Sequence, residues 1–145
     1  GDWRPIAAAP MRALRRTLVA HPRLTPVLGS RPALSPAMLS LADGVLGRLA
    51  RAGLPPQSGM ALLDCLVAYT VGKVLAETQA SAPETQERIA QVQATLTSQT
   101  HPNLVAAAMA GYGWAPEEEF EHGLLALLDG WPDSRGALAG RRSFS

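Results

Sequence analysis

The side chains of this sequence that could do chemistry are few and scattered. His21 and His101 each precede a proline where a helix should begin or end, so a capping or turn role suits them better than metal ligation. His122 stands beside Glu121 and faces solvent or a partner. The single cysteine, Cys65, excludes an intrachain disulfide and a multi-cysteine metal site. Flanked by Leu63, Leu66 and Val67, it reads as a small buried hydrophobe. There is no zinc spacing, phosphate-binding glycine loop or Gly-x-Ser-x-Gly elbow. No two acids are spaced for acid–base work. Asp64 alone stands out, mid-helix between Leu63 and Cys65. A carboxylate there pairs with an arginine such as Arg31 or Arg48, reaches solvent, or lines a ligand cavity. No catalytic residue, metal site or cofactor is expected, and nothing forms the nucleophile–base pair an enzyme would need.

The elements that must position these residues are helices. Few β-branched residues occur among many alanines and leucines, which favours helix over strand. Asp2 can cap a helix running to about Ala20, with Trp3, Ile6, Leu14 and Leu18 near one face and Met11 beside them. Pro10 predicts a kink there or a late start. Residues 22–34 have room for only a short helical turn. Ser35-Pro36 opens a second helix striped by Met38, Leu41, Val45 and Leu49, which Gly53 ends. A third, over 56–80, is apolar nearly all round. Residues 78–100 change to Gln, Ser, Thr and Ala with a thin stripe of Ile89, Val92 and Leu96, predicting an exposed helix and loop. Pro102 opens a short apolar helix. The last helix has Pro116 and three glutamates at its start and Gly130-Trp131-Pro132 at its end. Phe120, Leu124, Leu127, Leu128 and Trp131, widened by Leu125, make its apolar stripe too broad for one buried face. The expected fold is all-α, a bundle of five to six helices, with residues 132–145 a flexible tail.

Composition narrows the function classes. At 145 residues the chain is one domain with enough length for a core. A net charge of +1 gives it no overall field for nucleic acid or an anionic membrane. Arg4, Arg12, Arg15 and Arg16 cluster near the start, and on a helix they read as a solvated face. No apolar run is expected to span a bilayer, and no signal pattern opens the chain, so a cytoplasmic protein is the default expectation.

Taken in order, several segments resemble the C-terminal regulatory domain of the tetracycline-repressor (TetR) family. They are Asp2-Trp3-Arg4, Leu14-Arg15-Arg16-Thr17-Leu18 leading to His21, Leu28-Gly29-Ser30-Arg31-Pro32, and Leu49-Ala50-Arg51-Ala52-Gly53-Leu54. Tyr69-Thr70-Val71-Gly72-Lys73-Val74-Leu75 and Phe120-Glu121-His122-Gly123-Leu124 through Leu128-Asp129-Gly130 complete the set. The similarity runs over residues 2–131 with a weak middle at 78–100. It implies a helical bundle with a small-molecule cavity, and a homodimer joined by a four-helix bundle of the 56–80 and 116–131 helices. Leu62, Leu66, Tyr69, Lys73, Phe120, Leu124, Leu127, Leu128 and Trp131 are then the expected interface. Residues 1–131 form the regulatory domain, and the family's N-terminal helix-turn-helix domain is expected to be absent from this chain, so that DNA would be bound only through that missing part.

The resemblance departs from the tetracycline-binding members at one place. The histidine that binds the drug's magnesium there aligns with Val27 here, the drug-contacting asparagine with Pro10, and a glutamate with Ala76, beside Glu77. Tetracycline–magnesium is therefore not the expected ligand. Ser30 and Arg31 are carried over only as turn residues bordering the pocket. A small apolar effector is expected between the 2–20, 36–52 and 56–80 helices, lined by Leu14, Leu18, Val27, Met38, Leu41, Val45, Met60, Leu63, Val67 and Met109. Asp64, Thr70 and Tyr69 would supply its polar contacts. Two other readings stay open: a helical dimerisation module without a ligand, and a small helical enzyme.

Overall fold

Proline sets where the helices start. The computed structural model describes residues 1–30 and 35–132, and these form seven helices and no strand. They are α1 (Arg4–Ala20), α2 (Leu24–Ser30), α3 (Pro36–Arg51), α4 (Pro56–Ala80), α5 (Pro83–Thr95), α6 (Pro102–Met109) and α7 (Pro116–Asp129). All but α2 carry proline at the first or second helical position, where its missing N–H has no helical acceptor to lose. Ser35 caps α3 by accepting the Met38 N–H, and Asp2 accepts the Arg4 N–H at 3.1 Å ahead of α1. Gly53 and Gly111 take φ of +102° and +93°, the left-handed turn after α3 and α6 that a side chain would oppose.

The count reaches seven because the short helical turn expected in residues 22–34 is a helix, α2, with Pro26 in its first turn, while α5 is the exposed helix expected within 78–100. Pro10 lies within an unbroken α1, so the late start does not occur. The expected tail at 132–145 lies almost wholly outside the described residues.

α4 is the central element, with α1, α2, α3 and α7 all packed on it. Gly59, Leu62, Leu66, Thr70 and Val74 recur every three or four residues and are all buried. Trp3, Ala7, Ala8 and Met11 of the α1 region, Val45 and Leu49 of α3, Leu54, and Phe120, Leu124 and Leu128 of α7 close the main core around Leu62 and Leu66. A second cluster joins Leu18 of α1 to Val71 and Val74, with Leu28 of α2 against it. By length and composition alone α4 is apolar enough to cross a membrane, at a mean hydropathy of 1.5, a property that the core helix of a bundle shares.

Beyond the core the character changes. From Leu75 through Glu119 no residue is buried. α5 packs on α4, and α6 has no substantial packing partner among the described helices.

Candidate functional site

The residues expected at a dimer interface all border the seam between α4 and α7 of a single chain, where Tyr69, Lys73, Leu127 and Trp131 stay half-buried. Leu62, Leu66, Phe120, Leu124 and Leu128 are sealed in the core, with no surface left for a partner. Tyr69 stacks on Phe120 with ring centroids 5.7 Å apart. Its hydroxyl donates to the carbonyls of Phe120 at 3.1 Å and Glu119 at 3.2 Å. Burial pushes the Tyr69 phenol above its ordinary pKa. Lys73 Nζ donates to Glu119 Oε2 at 3.0 Å, Trp131 Nε1 donates to Ser58 Oγ at 3.0 Å, and Leu127 packs half-buried against the core. The correction concerns the five sealed residues, and on α4 its physical reason is that the helix is apolar nearly all round, so no polar face marks which side turns inward.

The outward side of the same two helices has its own regular spacing. On α4 it is Ala61, Cys65, Ala68, Gly72 and Ala76, four and three residues apart, all exposed except the half-buried Cys65. On α7 it is His122, Leu125, Ala126 and Asp129, all exposed. That stripe is small and uncharged on α4, and small side chains let another helix approach closely. The signal was present in the sequence as a spacing of small residues, but nothing in the sequence separates it from ordinary helix-forming alanine.

The residues expected to line a cavity divide into sealed and exposed sets. Leu18 and Val45 are core, and buried Thr70 donates its hydroxyl to the Leu66 carbonyl at 2.8 Å. These three pack inside the bundle, and periodicity tells which residues are apolar and not which gap they border. Leu14 and Leu63 are half-buried against the main core. Val27 on α2, Met38 and Leu41 on α3, and Met60 and Val67 on α4 are exposed, and Met109 on α6 is 85% exposed. Asp64 is exposed, which selects the solvent-reaching alternative for it. Ser30 ends α2, and Arg31 lies outside the described residues.

Three ion pairs unnoticed in the sequence tie α7 and α4 to α1. Arg12 Nε donates to both Glu121 carboxylate oxygens, at 3.0 and 3.1 Å. That hydrogen bond holds the Glu121 carboxyl below its ordinary pKa and raises the Arg12 guanidinium. Arg15 Nη2 meets Glu77 Oε2 at 3.0 Å with both side chains largely buried, and the Arg15 guanidinium lies 5.4 Å over the Phe120 ring. Arg4 pairs with Asp129 at 3.7 Å. Beside Arg15 an open cleft of about 390 Å³ is lined by Val19, Glu77, Ala115, Pro116, Glu117 and Glu118. Its floor is a salt bridge and its rim two carboxylates, a poor match for the apolar effector expected. Arg15 Nε and Thr25 Oγ1 are buried without a hydrogen-bond partner among the described residues. Among the described residues no three His, Cys, Asp or Glu side chains are gathered to hold a metal.

Residues 1–133 match the family described as "Tetracyclin repressor-like, C-terminal domain". The chain is 34% identical over 131 residues to the tetracycline repressor protein class C of Escherichia coli, across 89% of this chain and 58% of that protein. The crystal structure of a possible TetR family transcriptional regulator from Streptomyces coelicolor A3(2) matches with a TM-score of 0.73 and 32% identity. That match covers 90% of this chain and 64% of the other. The chain thus spans about three fifths of the length of these relatives.

Proposed function

Because the chain belongs to the TetR family, as a C-terminal domain of that family, we propose that it is the dimerising, effector-responsive part of a cytoplasmic transcriptional repressor. One observation carries the dimer: α4 and α7, held together by Tyr69, Lys73 and Trp131, turn to solvent an outer face that is small and uncharged on α4 and places Leu125 and Ala126 beside His122 and Asp129 on α7. Two copies meeting on that stripe would make a four-helix bundle. The interface residues are then Ala61, Cys65, Ala68, Gly72 and Ala76 with His122, Leu125, Ala126 and Asp129. Leu62, Leu66, Phe120, Leu124 and Leu128 support it from behind.

The effector reading rests on apolar side chains left in water. Met38 and Leu41 on α3 and Met60 and Val67 on α4 are exposed on two helices that pack together, and methionine adapts to varied ligand shapes. A small apolar molecule bound between α3 and α4 would favour one arrangement of the first helices. In a whole repressor this would alter the spacing of two DNA-binding domains. A coupling of about 1–3 kcal/mol between effector and DNA is typical. Val27 in place of a metal-binding histidine speaks against a metal-chelated drug as that effector.

Native mass spectrometry of the purified chain tests both parts. A dimer carrying a small molecule of a few hundred daltons is the expected result. A monomer at micromolar concentration overturns the interface. A dimer that shows no thermal shift with any apolar compound favours the ligand-free module.

A further inference from the structure

The stretch between α4 and α7 is an arm with little to hold it. No residue from Leu75 through Glu119 is buried, and α6 has no substantial packing partner among the described helices. Leu104 and Met109 stand largely in solvent. A helix this short does not persist on its own hydrogen bonds alone, so its position depends on what fastens its ends. At one end α5 rests on α4. At the other, the chain leaves α6 through Gly111, and the Tyr112 N–H closes the turn on the Ala107 carbonyl at 3.1 Å. Tyr112 stands between Gly111 and Gly113, so the backbone on both sides of it is free to rotate.

The Tyr112 side chain reaches α7. Its hydroxyl donates to Glu119 Oε1 at 3.1 Å, while Lys73 of α4 donates to Glu119 Oε2 at 3.0 Å. Both carboxylate oxygens are thus occupied, one by the body and one by the arm. The Glu119 backbone is held as well, because the Tyr69 hydroxyl donates to its carbonyl and its N–H donates to the Ala115 carbonyl. We infer that Lys73, Glu119 and Tyr112 form a latch that sets where the α6 arm lies, with Gly111 and Gly113 as its hinge. With the latch closed, the apolar side chains of α6 are presented in one place. With it open, the arm swings about the two glycines. Consistent with a closed latch, Lys73 and Tyr112 hold the Glu119 carboxyl below its ordinary pKa.

Millisecond hydrogen–deuterium exchange on the whole chain tests this. Tyr112→Phe removes the hydroxyl from an exposed ring and leaves the core intact. The expected result is exchange about threefold or more faster in residues 97–111, with α4 and α7 unchanged. Glu119→Gln, which keeps an acceptor for Tyr112 and loses the ion pair with Lys73, should fall between wild type and Tyr112→Phe. Unchanged exchange in residues 97–111 of Tyr112→Phe overturns the latch. Acceleration spread equally over α4 and α7 also overturns it, by making Tyr112 a general stabiliser.

Discussion

The ring of Tyr69 occupies the space that a side chain on Gly123 would need. A β-carbon built on Gly123 would fall 2.7 Å from Tyr69 Cζ and against the hydroxyl oxygen itself. The absent side chain lets the phenol cross α7 and bond its carbonyls, so α4 and α7 close on each other at this point.

Gly123→Ala should therefore cost about 1–3 kcal/mol of stability through overpacking, although alanine favours helix. In a Tyr69→Leu background the same change should cost less than about 0.5 kcal/mol. Urea titration of the four chains in this cycle measures the coupling, and additive costs would mean that the two residues do not compete for space.

Two substitutions on α7 should separate folding from association. Leu124→Ala deletes a fully buried side chain and should lower stability by about 2–5 kcal/mol. Ala126→Arg, on the exposed side, should leave the melting temperature of the monomer nearly unchanged and abolish the dimer in sedimentation equilibrium. If Ala126→Arg remains dimeric, the proposed face is wrong.

The Arg15–Glu77 pair should respond to how many of its charges are removed. Glu77→Leu alone strands a largely buried guanidinium and should cost about 3 kcal/mol. Arg15→Met combined with Glu77→Leu should recover most of that loss, because two apolar groups of similar size need no partner. Denaturation midpoints of the single and double variants decide it, and a double variant as weak as Glu77→Leu would contradict the account.

Acid should weaken the link between α1 and α7. Glu121 has its carboxyl pKa lowered in the folded chain by Arg12, so its contribution is complete above the unfolded value near 4.5. It is lost as pH falls from there through the depressed folded value. Both side chains remain more than a third exposed, so water and salt screen the pair and its worth stays below about 1 kcal/mol. Glu121→Gln should flatten the dependence of stability on pH below 4.5, and an unchanged slope would assign the acid sensitivity elsewhere.

Helix identity was largely legible in the residues. Pro36, Pro56, Pro102 and Pro116 mark helix starts where they were expected, and Gly53 marks a helix end. These are local steric effects within a few residues, so no distant contact is needed to decide them. The bounds of α4 at Pro56 and Ala80 and the all-α fold follow from such signals and from alanine-rich composition.

Which face of α4 turns inward, and which residues of separate helices meet, were settled only by the tertiary structure. Tyr69 and Gly123, Arg12 and Glu121, and Arg15 and Glu77 are far apart in sequence, and their partnership depends on how α1, α4 and α7 cross. On α4, Leu62 and Leu66 against Ala61 and Ala68 differ in size more than in polarity. The hydrophobic effect rewards burial without direction. Only the fit of side-chain volumes among packed helices could choose the leucines for the core and leave the alanines outside.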